Sequence, residues 1–313
     1  MILFVLAGIL PVLFWPGTNT DAPLLRQAGI THLAVPAARA PVWKAVTGIK
    51  VEAVDLNNAV RVPAPGVNYR MGDASASRVP WVNSNGGRFM RQPKALFCYE
   101  VKGVTAALAA AEAFSFGARA IIQTDATGLA PLASMLKFLG SLDVPQAPAP
   151  ADFGFIDDGS ALDAEVMNLL VRDNLFFKVV RTPDPRLKLT VQLGSKEYSS
   201  NDANVLEHRI RANLNDERRL IRIYGTSVVV ARPAVDDKSR KLCIHLLNYG
   251  AARGTRVGAF RIHLIGRYGK GNLHAFDSVN SHLMDYESGP DATEFTVPEL
   301  KTYAAVDLTT TQQ

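Results

Sequence analysis

The sequence predicts an α/β plus all-β chain in three parts: a shortened TIM-barrel-like α/β domain, a small flavodoxin-like domain and a C-terminal antiparallel β-sandwich. Three observations carry this. The stretch KALFCYEVKGVTAALAAAEAFSFGARAIIQTD, Lys94 to Asp125, reads as strand, helix, strand, and one βαβ unit implies a parallel sheet. A Pro/Ala run, VPQAPAPA at Val144 to Ala151, interrupts the composition as an interdomain linker does. Beyond Gly225 the helical periodicity stops, and short apolar runs alternate with Gly-, Asp- and Asn-rich turns, the spacing of a sandwich.

The elements follow in order. Met1 to Phe14 is almost wholly apolar and lacks a basic start. It is too short for a membrane span. Met1 to Leu10 reads either as the apolar region of a secretory signal or as a plain buried first strand. Val12 to Trp15 is a strand that ends in the Trp15-Pro16-Gly17 turn. Ile30 to Val35 and Ile49 to Val54 are further strands, each preceded by a short helix, and Asp55 tips the second of them. Asn57 to Arg78 is a Pro/Gly/Asn loop, and Val79 to Val82 is a fourth strand leading into Asn83-Ser84-Asn85-Gly86-Gly87-Arg88. In the central unit, Ala95 to Tyr99 is an apolar strand tipped by Glu100, Thr105 to Phe116 is an alanine-rich helix stopped at Gly117, and Ala120 to Gln123 is a strand followed by Asp125. A helix follows from Leu129 to Leu139. A complete eight-fold barrel takes about 200 residues or more, so this part is an incomplete barrel or an open α/β sheet, the former preferred.

The linker gives domain bounds of 1–147, 148–225 and 226–313. Strands at Phe153 to Asp157, Phe176 to Val180, Leu189 to Leu193 and Leu220 to Tyr224, with helices from Ser160 and over Asn204 to Leu214, build the flavodoxin-like part. Sandwich strands are expected at Ser227 to Ala231, Lys241 to Asn248, Ala259 to Gly266, Asn272 to Phe276, Thr293 to Val297 and Thr302 to Leu308.

Bulk properties narrow the function. Of 313 residues, 48% are hydrophobic and 20% charged, with a net charge of +5, a globular composition. The basic residues scatter, apart from Arg209, Arg211, Arg218, Arg219 and Arg222, which read as a solvated face. No aromatic interleaving marks a nucleic-acid partner. Cys98 and Cys243 sit in apolar runs of different domains and are expected reduced. No His or Cys spacing makes a zinc site, and neither a metal nor another cofactor is expected.

The order of parts resembles the multidomain bacterial glycoside hydrolases of the β-galactosidase type, and a group of secreted glycoside hydrolase-like proteins with that architecture. The resemblance rests on LFWPG (Leu13 to Gly17), AGITHLAVP (Ala28 to Pro36), WVNSNGGRFMR (Trp81 to Arg91), AAAEAFSFGA (Ala109 to Ala118), FIDDGS (Phe155 to Ser160), IHLLNYG (Ile244 to Gly250) and FTVPELKTYAAVDL (Phe295 to Leu308). It implies a catalytic barrel, a middle domain like a class I glutamine amidotransferase, a sandwich, a carbohydrate substrate or ligand, and a secreted or periplasmic bacterial protein. The chain departs from the pattern. The barrel is short, the Asn-Glu pair of the acid/base strand is absent, and no Cys stands at a strand-to-helix elbow, so amidotransfer is not expected.

Glycoside hydrolysis needs two carboxylates about 5–5.5 Å apart for retention or about 6.5–9.5 Å for inversion. The strand-end candidates are Asp55, Glu100 and Asp125, with Glu100 beside Tyr99 the preferred general acid/base. Trp15 and Trp81 are candidate sugar platforms, and Asn83, Asn85 and Arg88 candidate hydroxyl ligands. Each has a structural alternative: helix caps or salt bridges for the carboxylates, turn chemistry for the Asn/Gly stretch. Glu112 is expected to pair with Arg119 or Arg88. Asp157-Asp158-Gly159-Ser160 reads equally as a ligand-facing strand end or a helix-capping turn. Two functions therefore stand: a secreted glycoside hydrolase-like enzyme, or a non-catalytic glycan-binding or assembly protein on a degenerate barrel, a homo-oligomer being compatible with either.

Overall fold

The computed structural model describes residues 10–69, 80–144, 150–187, 189–215, 219–236, 241–279 and 281–310. The signal-segment expectation and most of the Pro/Ala linker lie outside the described residues.

The first part is built from β1 (Val12–Phe14), α1 (Ala22–Gln27), β2 (His32–Pro36), α2 (Ala40–Lys44), β3 (Lys50–Val54), β4 (Val60–Val62), β5 (Gly66–Tyr69), β6 (Pro80–Asn83), α3 (Gly86–Arg91), β7 (Leu96–Glu100), α4 (Thr105–Ser115), β8 (Arg119–Gln123) and α5 (Ala126–Gly140). Six of the strands form one parallel sheet in the order β3-β2-β1-β8-β7-β4. Strand alternation gives the sheet two faces. Leu13, Leu33, Val35, Phe97, Tyr99, Ala120 and Ile122 share one buried cluster with the apolar residues of α4 and α5, while Phe14, Ala34 and Ile121 form a small cluster of their own. Alanine makes α4 close-fitting: Ala106 to Ser115 are all buried, and small side chains let the helix lie near both α5 and the sandwich.

Two expectations change here. The loop expected over Asn57 to Arg78 contains β4 and β5 among its described residues, and the described part of the strand expected over Val79 to Val82 lies on β6, which pairs antiparallel with β5 rather than joining the parallel sheet. These strands are three or four residues long and flanked by Pro and Gly, so local composition hides them; β4 is held by its partner β7.

The middle part comprises β9 (Phe153–Ile156), α6 (Ala161–Arg172), β10 (Phe177–Val180), β11 (Thr190–Gln192) and α7 (Ala203–Leu214). Its sheet is parallel, in the order β10-β9-β11. Leu220 to Tyr224, expected in this part, instead forms β12 (Ile221–Tyr224), which pairs antiparallel with a sandwich strand. Ile221 lies in the sandwich core, so burial there decides the partner.

The sandwich adds β13 (Val229–Asp236), β14 (Lys241–Asn248), β15 (Phe260–Ile265), β16 (Tyr268–Ala275), β17 (Met284–Ser288), β18 (Ala292–Val297) and β19 (Tyr303–Thr310). Its antiparallel sheets are β12-β15-β18-β17 and β13-β14-β19-β16. Cys98 and Cys243 are buried free thiols. The largest buried cluster runs from Leu13 through Phe153 and Leu214 to Tyr303, so the parallel sheet, the middle part and one face of the sandwich share a core.

Candidate functional site

The C-terminal rim of the parallel sheet holds the carboxylate candidates, each with a local partner. Asp55 accepts from the Asn57 amide at 2.9 Å and from Asn58 Nδ2 at 3.3 Å, capping the 3-10 turn Leu56–Asn58. Asp125 caps α5: it accepts from the Thr127 hydroxyl at 2.6 Å and the Gly128 amide at 3.2 Å. The Thr127 hydroxyl, aided by backbone amides, holds its carboxyl below the usual range. Glu100 ends β7 in solvent, and its Oε2 lies 3.5 Å from Arg61 Nη1, with the two side chains 78% and 68% exposed. Glu100 pairs in register with Gln123, two residues before Asp125, so these two candidates share adjacent strands. Asp55 follows edge strand β3, three strand spacings from β8, or about 14 Å along the sheet at ~4.8 Å per strand.

The tryptophans serve packing. Trp15 Nε1 donates to Asp21 Oδ2 at 2.9 Å, and a Cβ on Gly17 would meet those two atoms at 2.5 and 2.1 Å, so the Trp-Pro-Gly turn needs glycine. The Arg172 guanidinium stacks 3.6 Å above the Trp81 ring, covering one face of that platform.

The Asn/Gly stretch builds more than a turn. A Cβ on Gly86 would lie 2.4 Å from the Phe116 ring, and one on Gly87 3.4 Å from Met167 Cβ. The two glycines thus let α3 lie against the end of α4 and against α6. Between β4, α3 and α6 opens a cleft of about 450 Å³, lined by Arg61, Ser84, Arg88, Arg91, Glu165 and Asn168 over an apolar wall of Val60 backed by the buried Phe97. Of the candidate ligands, Arg88 lines this cleft, Asn85 lies buried behind it, and Asn83 at the end of β6 does not line it.

Beneath the cleft sits a buried carboxylate, Glu112, for which an arginine partner was expected. Its actual partners among the described residues are uncharged. Oε1 accepts from Ser84 Oγ (3.1 Å), the Asn85 amide (2.7 Å) and Tyr249 Oη (2.7 Å); Oε2 accepts from Asn85 Nδ2 (3.0 Å) and Tyr99 Oη (2.6 Å). Burial, then the neighbouring Glu112 charge, pushes both tyrosine hydroxyls well above their usual range. Arg88 is tied to the network only through Asn85, whose Oδ1 accepts from its Nη1 at 3.2 Å. The network joins α4, the start of α3, β7 and the sandwich through Tyr249. One sequence signal pointed to it: Glu112 is the only charged residue of α4, and a lone charge in an apolar helix must be buried with donors.

The DDGS turn is fixed by an ion pair. Arg91 Nε and Nη2 donate to Asp157 Oδ2 and Oδ1, both at 2.8 Å, with the side chains 17% and 14% exposed. Burial opposes ionisation of Asp157, and the Arg91 guanidinium with the Gly159 amide overcomes it, leaving that carboxyl below its usual range. Ser160 caps α6 by accepting from the Asp163 amide at 3.0 Å. Asp163 is pushed up to about 6 by burial, reinforced by Asp158 and Asp157. Oxygens of these three aspartates lie within 4.8 Å of one another, the arrangement among the described residues most suited to a cation. The Arg91 fork already supplies positive charge there.

No family model and no curated protein sequence matches the chain. Solved structures do. The α-L-fucosidase isoenzyme 2 of Paenibacillus thiaminolyticus is similar over 87% of this chain and 70% of its own, at 10% identity and a TM-score of 0.52. The apo exo-carrageenase of Bacteroides ovatus aligns with 84% of this chain and 48% of its own, at 8% identity and a TM-score of 0.41. The likeness to the fucosidase is one of fold, mixed α/β with antiparallel β parts.

Proposed function

We propose that this chain is a carbohydrate-binding protein on a glycoside hydrolase-like scaffold, serving as a glycan-binding or assembly module rather than a hydrolase. The observation that carries this is the use of Asp55 and Asp125 as caps. Each accepts from a backbone amide of the turn that follows it, Asp55 from Asn57 and Asp125 from Gly128, a structural use, whereas a hydrolase needs one carboxyl to move a proton and another to attack or activate water.

We read the parallel sheet as a shortened TIM barrel. The parallel connections β1-β2-β3 and β4-β7-β8 advance in one direction across the sheet order, and first strand β1 lies beside last strand β8 as at a barrel's closure. The opening falls between β3 and β4, which form no pair among the described residues. The middle part is read as an amidotransferase-like domain kept as structure, and Met1 to Leu10 as a secretory segment on its apolar run. Among the described residues no helix is long and apolar enough to cross a membrane.

The adjacency of β7 and β8 favours a second reading, in which Glu100 is a general acid/base with Asp125 as its partner. The first test is a glycan panel with the purified chain. Saturable binding of a saccharide class supports the proposal, and no binding to any saccharide contradicts it.

A further inference from the structure

We propose that the cleft between β4, α3 and α6 receives an acidic saccharide, whose carboxylate or sulfate group is bound by Arg88 and Arg61. The proposal rests on the glycan-binding reading above and adds the charge class of the ligand.

The cleft's volume of about 450 Å³ falls within the range of small-molecule sites, about 300–1,000 Å³. Three guanidinium groups line it against one carboxylate, Glu165. The arginines differ in what they can offer. Arg91 commits Nε and Nη2 to Asp157 and is a wall of the cleft. Arg88 is exposed, and its hydrogen bond among the described residues runs from Nη1 to Asn85 Oδ1. Asn85 is buried and donates on its other side to Glu112 and to the Pro63 carbonyl. Arg88 is therefore aimed from behind by a fixed amide and faces no carboxylate partner among the described residues. Arg61 pairs with Glu100 at 3.5 Å with both side chains in water, a weak contact that a ligand anion can replace.

A guanidinium presents paired N–H donors that match the oxygens of a carboxylate or sulfate. The rest of the cleft suits a sugar ring. Val60, backed by the buried Phe97, gives an apolar wall for its C–H face, and the amides of Gln92 and Asn168 offer hydrogen bonds to its hydroxyls. A neutral sugar would use the apolar wall and the amides and leave the charge of Arg88 unanswered.

The test is calorimetric titration of the full chain with oligogalacturonate, a sulfated galactan oligosaccharide, the neutral galactan oligosaccharide and sodium sulfate, at fixed ionic strength. An acidic saccharide is expected to bind at least about tenfold tighter than the neutral one. Arg88→Gln should lower acidic affinity about tenfold or more, lower neutral affinity by a smaller factor so that the acidic-to-neutral ratio collapses, and melt like wild type. Arg61→Gln should weaken acidic binding in the same direction, and Lys44→Gln, at an exposed position of α2, should not. Added salt should weaken acidic binding in the wild type, a readout independent of variant folding. Equal affinity for acidic and neutral saccharides, or acidic binding indifferent to Arg88 and salt, overturns this inference while leaving glycan binding intact. Binding of sulfate as tightly as the saccharides overturns it in favour of an inorganic anion site. Failure of every saccharide to bind overturns both this inference and the reading beneath it.

Discussion

Cutting the carboxylate from Glu112 would take the acceptor from the buried Tyr99 hydroxyl and the Asn85 backbone amide, and leave Ser84 and Tyr249 with their mutual contact at 2.8 Å. Buried donors left unmade cost far more than the net worth of the bonds. Glu112→Ala is expected to destabilise the chain by about 3 kcal/mol or more, and Tyr249→Phe by about 1 kcal/mol, read from denaturant midpoints. Unchanged midpoints would contradict the hub role. A second buried acid sets a pH dependence. Glu207 is pushed up to about 7, first by burial and then by Asp173. The folded chain therefore keeps a proton that the unfolded chain releases near the ordinary carboxylate value. The stability this contributes is present at low pH and lost as pH rises from about 4.5 to about 7. Glu207→Gln should gain stability relative to wild type between about pH 5 and about pH 8; a constant difference across that range would refute the assignment.

At the scale of elements, α3 is sensitive to a single methyl group. Gly86→Ala would drive a Cβ into the Phe116 ring, and overpacking of this kind costs about 1–3 kcal/mol. Reduced thermal stability together with weaker saccharide binding is expected, because α3 carries Arg88; a variant indistinguishable from wild type in both would contradict the packing account. Much at this scale was legible in the sequence. The βαβ unit over Lys94 to Asp125 appears as β7, α4 and β8, and Lys241 to Asn248 is β14 to the residue, since strong apolar runs report burial directly. What escaped was set by partners distant in the chain. β4 is a three-residue strand defined by β7. β12 left the middle part because β15 buries Ile221. β17 reads MDYES, an exposed edge strand that needs no apolar face. The site followed the same rule. Arg88 and Asn85 stand out in the sequence by residue type, but nothing local tells that Arg61 and Glu165 line the same cleft as Arg88, or that Glu112 accepts from Tyr249, 137 residues away.

Across the whole molecule, polar contacts stitch the parts together, among them Glu112 to Tyr249, Arg91 to Asp157, Arg253 to the Val67 carbonyl, and those of Asn174. This last residue adopts a left-handed conformation (φ 55°) and bonds both Val229 O and the Ala231 amide of β13. With a buried cluster shared by all three parts, the parallel sheet and the middle part are expected to unfold together. Protease cleavage in the linker 144–151 should leave the two pieces associated and give one main transition in calorimetry; separation into independently melting halves would contradict the shared core. The same layout puts the cleft on the seam between the two parts, with Arg61 reaching from its lining to Glu100 on the rim, while Asp55 and Asp125 cap the turns that follow their strands. The central claim is thus binding without hydrolysis. It is tested most directly by measuring reducing-end release from whichever saccharide the chain binds, for wild type and Glu100→Gln at equal folded fraction. The account predicts release at the buffer rate from both proteins despite saturable binding. Release by the wild type that falls about a hundredfold or more in Glu100→Gln would contradict it and make Glu100 a catalytic acid/base.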